Sequence, residues 1–401
     1  MNKNIQIILL GTLTAIFFSG FIYFEEYNIT SKLLNTLFGL AALALFLYIP
    51  KRSILVAGFL IGLFWFYWIG YSFEYQGVGY MTPIVTLAFG VIYLLFFLPL
   101  YFTDKAYIRA ILLFALSFIE PFDWNWLQIE LVFIDSYIGV YKYQLLLILT
   151  ALSLPQIIKS KYKYLPLVLI LGAYNFGYQI QEESSLKIKL VQTDIKQENK
   201  WTKEALIPTI NLVYKEIKSA VSQGYDVVVF PESVFPLYMN KNSRLLHELM
   251  LASQNIVIIT GALLRENGQS YNVTYMFQNG KYEIAKKLVL VPFGEYIPLP
   301  KFAQKFINDT FFSGASDFVT ADKPTDFIIK GVKFRNAICY EATCAEIYKG
   351  DVKFVIATSN NAWFTPSIEP TLQKLLMRYY GRKNGVTIYH SANWSGSGVI
   401  K

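Results

Sequence analysis

The sequence predicts a multi-span α-helical membrane bundle followed by an α/β domain. Three observations carry this. Apolar residues make up 54% of the chain and charged residues only 16%, far from the composition of ordinary soluble proteins. The apolar excess is concentrated before about residue 182, in seven runs of membrane-spanning length. Beyond it, short apolar strands alternate with helical periods, the pattern of a layered α/β domain. The chain is therefore divided into 1–182, a transmembrane part of about seven helices, and 183–401, a water-soluble domain.

A helix needs about twenty apolar residues, each rising 1.5 Å, to cross roughly 30 Å of hydrocarbon. Runs at 5–24, 33–50, 54–73, 83–102, 106–122, 138–154 and 164–180 meet that length. Glu120, Asp123, Glu130 and Asp135 interrupt the region between the fifth and sixth. The first run has no small-residue cleavage site and further spans follow it, so it reads as a retained helix and not as a signal peptide. Lys3, Lys51, Arg52, the stretch 104–109 with Lys105, and the stretch 159–163 fall on one side of these spans. Glu25, Glu26, Glu74 and the acidic stretch 120–135 fall on the other. The positive-inside rule then puts the N-terminus in the cytoplasm and, after seven crossings, the second domain outside. In a two-membrane bacterium this is an inner-membrane, multi-pass protein with a periplasmic domain. The formal charge of +8 suits anionic lipid surfaces. Its clustering between apolar runs is a topology signal, so no nucleic-acid partner is expected.

In the second domain, strands are expected at 186–193, 226–230, 256–260, 271–277, 282–291, 333–340, 353–358 and 386–391. Helices are expected at 203–222, 244–253 and 370–383. Cys339 and Cys344, five residues apart on a strand and the following turn, are unsuited to a disulfide. No metal-type spacing joins them to His247 or His390. Neither a metal nor a cofactor is expected, and a Ser–His–Asp arrangement has little support.

Three motifs stand at the ends of apolar strands: Val227-Val228-Val229-Phe230-Pro231-Glu232-Ser233, Lys287-Leu288-Val289-Leu290-Val291-Pro292-Phe293-Gly294-Glu295-Tyr296, and Ile338-Cys339-Tyr340-Glu341. Each alone has an ordinary explanation: a turn carboxylate, an exposed strand lysine, a small core thiol. Together, in this order and spacing, they resemble the carbon–nitrogen hydrolase (nitrilase) superfamily. That resemblance implies a nitrilase-like αββα sandwich with a catalytic triad of Glu232, Lys287 and Cys339. The runs Leu290-Val291-Pro292-Phe293-Gly294-Glu295-Tyr296, Cys339-Tyr340-Glu341 and Ser359-Asn360-Asn361-Ala362-Trp363-Phe364 are similar to its membrane-embedded branch, the apolipoprotein N-acyltransferase family. The segment from Gly58-Phe59-Leu60-Ile61-Gly62 to Trp68-Ile69-Gly70 resembles that family's membrane part. One departure is that the family usually carries a final transmembrane helix, whereas this chain ends at Lys401, so it resembles a short or truncated form.

The resemblance implies ping-pong acyl transfer from a phospholipid, typically phosphatidylethanolamine, to Cys339, and then to the α-amine of diacylglyceryl-cysteine on an apolipoprotein. It also implies supporting roles for Glu295, Tyr340, Glu341 and Trp201. Moving a proton from a thiol near 8.5 to a carboxylate near 4.3 is uphill by about 6 kcal/mol. Burial of Glu232 and a Lys287 ammonium beside Cys339 are the expected means of closing that gap. The rival reading is a membrane-tethered amidase or nitrilase acting on a small amide, since water and amine attack the same thioester. Finally, the long connection 301–324, with Phe302, Phe306, Phe311, Phe312 and Phe318, is expected to be an aromatic lid facing the bilayer interface.

Overall fold

The computed structural model describes residues 2–75, 77–177, 179–292, 294–296 and 318–401. The phenylalanines of the expected lid lie outside the described residues, Phe318 excepted. The chain forms two compact units: Met1–Tyr178 with Pro366–Leu375, and Gln179–Thr365 with Leu376–Lys401. The assignment of Pro366–Leu375 to the first unit is not visible in the sequence. Within that unit Lys374 pairs with Glu25 at 3.0 Å.

The first unit is helical: α1 Lys3–Glu26, α2 Lys32–Tyr48, α3 Lys51–Phe66, α4 Thr82–Phe97, α5 Ala106–Leu116, α6 Lys142–Ser153 and α7 Leu169–Gly172. Among the described residues three helical stretches are long and apolar enough to cross a membrane: Lys3–Glu26, Lys51–Phe73 and Gly79–Phe102. The other four expected runs come out shorter. The run at 33–50 forms α2, which stops ahead of Pro50. The run at 106–122 ends at Leu116, where the Ser117 hydroxyl donates back to the Phe114 carbonyl. The run at 138–154 starts only at Lys142. The run at 164–180 becomes a 3-10 turn, Leu165–Val168, followed by the single turn α7. Polar punctuation within an apolar stretch explains the shortening: a carbonyl-seeking serine, prolines at 121 and 166, and Asn175 and Gly177.

Helices α3 and α4 meet backbone to backbone. A Cβ on Gly62 would stand 2.9 Å from the Gly90 Cα, so only hydrogen fits there. This small-residue contact is how helices pack closely without a hydrophobic driving force in lipid. Around it lies an aromatic core in which Phe66 stacks on Tyr93 at 4.9 Å and Phe46 on Phe97 at 4.8 Å.

The second unit holds two five-stranded sheets. One runs in the order β1 Ile188–Leu190, β2 Val227–Val229, β3 Val257–Glu266, β4 Gln269–Gln278, β5 Lys281–Lys286. The other comprises β6 Asp326–Ile329, β7 Val332–Ile338, β8 Phe354–Asn360, β9 Thr387–Asn393 and β10 Gly398–Ile400, ordered β10-β9-β8-β7-β6. Side-chain alternation assigns the faces. Val227 and Val229 pack with Ile259, Phe334, Ile356 and Tyr389 between the sheets. Val228 and Ile258 face the other way, against Val213 and Ile217 of α9 Lys203–Ser222 and Leu249 of α10 Ser243–Ala252. A strand buried on both faces reads as an unbroken apolar run, which is why 226–230 was conspicuous. On the far side of the second sheet, helix α11 Glu369–Asn384 stacks Tyr380 on Tyr348 at 5.3 Å. The layers are those of the expected αββα sandwich. Short helix α8 Gln197–Lys200 follows β1, and strands β6 and β10 were not anticipated.

Candidate active site

Three chain segments converge at the ends of β2, β5 and β7. The first carries Glu232, three residues past β2. Its turn is held by Ser233 in the left-handed region, φ 46°, and by the Phe235 N–H donating to the Gly261 carbonyl at 3.2 Å. Gly261 lies directly beneath: a Cβ there would be 2.7 Å from the Glu232 Cα. The carboxylate is buried and held at both oxygens. The Asn272 amide donates to Oε1 at 2.7 Å, and the Asn360 backbone N–H donates to Oε2 at 3.0 Å.

The second segment carries Lys287, immediately after β5. Strand β5 is shorter than expected, ending at Lys286, and the chain from Lys287 to Pro292 is irregular. The Lys287 side chain is 1% exposed. Its Nζ lies 2.8 Å from Oε2 of Glu295 and donates to Oε1 at 2.9 Å, with Glu232 Oε1 at 3.9 Å. Burial alone would lower the lysine pKa. The charges of Glu295, Glu232 and Cys339 around it outweigh burial and raise it above its ordinary value. Lys287 is thus a fixed ammonium, unsuited to act as a base.

The third segment carries Cys339, first residue of a 3-10 turn after β7, with φ 56°. A side chain in the left-handed region is uncommon and strained, and it lifts the thiol out of the strand. Glu341 braces this turn. Its Oε1 accepts from the Ile338 N–H at 2.7 Å, and Oε2 accepts from the N–H groups of Leu288 and Val289 at 2.7 and 3.2 Å. One carboxylate therefore ties the thiol's turn to the lysine's segment. Burial pushes its pKa up to about 7, against the opposing pull of Lys287 and of these N–H groups.

The structure thus brings together Glu232, Lys287, Glu295, Cys339 and Glu341. Tyr340 is buried at the turn, its carbonyl accepting from Thr343 Oγ1 at 2.6 Å and from Cys344 Sγ at 3.5 Å. Cys344 is buried. Trp201 caps the C-terminus of α8 with its indole half exposed, and among the described residues no hydrogen bond or ring contact joins it to Glu232, Lys287 or Cys339. The residue before it, Lys200, does enter the site. It is fully buried and its Nζ donates to the Glu232 carbonyl at 3.0 Å. Nothing in the sequence distinguishes it from Lys196 or Lys203. His390 has a partner the sequence did not reveal, Ser359 Oγ at 2.8 Å from Nε2. Both are fully buried, and burial pushes the imidazole down to about 4. That pair belongs to the core.

A cysteine on a strained turn, a fixed ammonium and the carboxyl groups of Glu232, Glu295 and Glu341, on an αββα sandwich, are a grouping of the carbon–nitrogen hydrolase kind. The carbon–nitrogen hydrolase profile matches residues 187–397, and the apolipoprotein N-acyltransferase integral membrane domain matches residues 5–176. The chain is 44% identical to the apolipoprotein N-acyltransferase of Wolinella succinogenes over 99% of this chain and 96% of that protein. With the enzyme of that name from Helicobacter hepaticus it shares 37%, over 94% and 96%. Among solved structures, a CN-hydrolase superfamily protein from Xanthomonas campestris is similar with a TM-score of 0.41 and 13% identity, over 53% of this chain and 77% of that one. The chain belongs to the apolipoprotein N-acyltransferase family, and with it to the integral membrane proteins.

Proposed function

We propose that the chain moves a fatty acyl group from a phospholipid, with phosphatidylethanolamine the expected donor, through a thioester on Cys339 to the N-terminal amine of diacylglyceryl-cysteine on apolipoproteins. It would act at the bacterial inner membrane with its catalytic domain in the periplasm. The observation that carries this reading is the buried Lys287 ammonium held between Glu295 and Glu232 and coupled to Cys339.

Glu232 takes the thiol proton as Cys339 Sγ attacks the ester carbonyl. The negative oxygen of the tetrahedral intermediate is stabilised by Lys287 and the backbone N–H after Cys339. Collapse breaks the ester C–O bond, Glu232 protonates the departing glycerol oxygen, and lysophospholipid leaves. In the second half the lipoprotein amine attacks the thioester, Glu232 takes its proton, and the same proton returns to the expelled Cys339 sulfur. Each half-reaction begins and ends with the same protonation state. Glu295 fixes the lysine throughout, and Glu341 fixes the turn.

Purified protein is to be incubated with phospholipid and a diacylglyceryl-cysteine peptide and analysed by mass spectrometry. We expect one hydroxylamine-labile acyl mass on Cys339, then N-acyl peptide, and neither with Cys339→Ala. Free fatty acid without N-acyl peptide would select the hydrolase reading. An acyl mass on Cys344, or full turnover by Cys339→Ala, would reject the assignment.

A further inference from the structure

Lys200 is a lysine buried against the Glu232 turn, and the chemistry above does not use it. It lies at the end of α8, is 2% exposed, and among the described residues its ammonium makes one hydrogen bond, to the Glu232 main-chain carbonyl at 3.0 Å. Its charge is coupled to Glu232 and Cys339. Burying a lysine without function is costly, because the ammonium loses its hydration.

A charge count shows what it offsets. Lys287 is committed to Glu295, with both carboxylate oxygens within 2.9 Å, and stands 3.9 Å from Glu232. Without Lys200, Lys287 alone faces the carboxylates of Glu232 and Glu295 and the buried carboxyl of Glu341, and a developing thiolate makes the imbalance worse. The same helix braces Glu232 a second way. The Gln197 side-chain carbonyl accepts from the Asn360 amide at 2.8 Å, and the Asn360 backbone N–H holds Glu232 Oε2. The Asn393 amide donates to Asn360 Oδ1 at 2.8 Å, locking that amide from the second sheet.

We propose that Lys200 is a positioning residue and the second cation of the site: it holds the Glu232 turn by its carbonyl and balances the Glu232–Cys339 charge that Lys287 leaves uncompensated. The inference rests on the assignment of Cys339 as nucleophile. Burial pushes the Lys200 pKa down to about 8, against the opposing pull of Glu232 and Cys339, so its positive charge fades in mildly alkaline solution. The charged groups around it are Glu232 and Cys339, with Lys287, Glu295 and Glu341 behind them.

The test uses the full chain in detergent and two readouts on Cys339 located by mass spectrometry: alkylation by iodoacetamide and acyl loading from phospholipid, each from pH 6 to 10. Lys200→Met keeps the length and apolar bulk of the side chain. At pH 7 both rates should fall about 10- to 100-fold, the range of one charged hydrogen bond. The thiol should titrate at higher pH than in the wild type. Wild-type loading should decline above pH 8, and the variant, having no ammonium to lose, should lack that decline. A merely structural lysine would lower the rates without moving either pH feature, and that result overturns the proposal, as do wild-type rates in the variant. If Lys200→Met does not fold, the wild-type profile decides: a flat loading rate through pH 8–10 overturns the role. If wild-type Cys339 alkylates but takes no acyl group, the acyltransferase reading fails while the Lys200 comparison still stands on alkylation.

Discussion

Glu341 shows how much one side chain can carry at this site. Its two oxygens accept three backbone N–H groups, one before the cysteine and two after the lysine. Glutamine offers one acceptor oxygen and, on the other side, an N–H facing an N–H. Glu341→Gln should therefore free either the Cys339 turn or the Lys287 segment. We expect acyl loading of Cys339 to drop about 10- to 100-fold, with little change in membrane expression. The carboxyl also has a pH signature. Its value in the folded chain, about 7, lies above the ordinary 4.5, so the folded state binds this proton more tightly than the unfolded state does. That contribution is complete below about 4.5 and is lost as pH rises through 7. Stability against urea should slope downward across that window in the wild type and flatten in Glu341→Gln. An unchanged slope would show that Glu341 does not titrate there. That Glu232, Lys287, Cys339 and Glu341 come together was legible because each sits in a short motif beside an apolar strand. Lys200 was not, since its burial is a tertiary fact: the loop after β1 folds under Glu232, and one lysine among several points inward.

Among the elements, the strands and long helices were legible and their ends were not. Apolar periodicity located β2, β3 and β8 and gave α9 its bounds, because those stretches are buried in regular alternation. Hairpin turns were the missed signal. Asn267-Gly268 and Asn279-Gly280 have positive φ at both positions and join β3 to β4 and β4 to β5, the type I′ geometry that extends strands to the turn itself. The membrane elements add a second lesson, at Arg109. As part of 104–109 it counted as a cytoplasmic loop cation. In the structure it is 1% exposed. Its Nη1 donates to the carbonyls of Ile49 at 2.7 Å and of Phe46 and Leu47 at 3.3 Å, and its Nε donates to Thr103 at 2.8 Å. The guanidinium is a C-terminal cap for α2, satisfying carbonyls that the helix itself leaves open. Asp104, 3.6 Å from its Nη2, also pairs with Lys51 at 3.0 Å. Glu130 likewise counted as an acidic loop residue, yet it is fully buried and paired with Lys142 at 2.8 Å. Arg109→Met would leave several buried acceptors open at once, so we expect a loss of about 3 kcal/mol or more, read as a lower midpoint of thermal unfolding in detergent. A midpoint within a degree of wild type would show that the cap is dispensable.

For the whole molecule the open question is parity. Seven crossings from a cytoplasmic N-terminus put the catalytic domain outside, and six would leave it in the cytoplasm, away from any lipoprotein exported across the membrane. The outcome turns on 164–180, the run that departs most from a continuous helix. Its eight helical residues, Leu165–Gly172, rise only about 14 Å, half of the roughly 30 Å of hydrocarbon. The non-helical residues that follow are irregular: Ala173 keeps a helical backbone conformation and Tyr174 forms an isolated bridge with Ile138. Irregular backbone is tolerated at membrane depth only where its polar groups are satisfied within the protein. Here they are. The Ala173 carbonyl accepts from the Gly139 N–H at 3.1 Å, the Asn175 N–H donates to the Tyr137 carbonyl at 2.8 Å, and the Gln144 amide reaches the carbonyls of Ala173 and Tyr174 at 3.3 Å. The helical turns and the irregular stretch bonded to 137–139 therefore have the internal hydrogen bonding that membrane depth demands, and the crossing itself is what the fusion experiment tests. Alkaline phosphatase, active only outside the cytoplasm, fused after Lys161 should be inactive, and fused after Glu182 it should be active, with both fusions expressed to similar levels. Equal activity at the two sites would mean that 164–180 does not cross, and the periplasmic placement of the catalytic domain would fall with it.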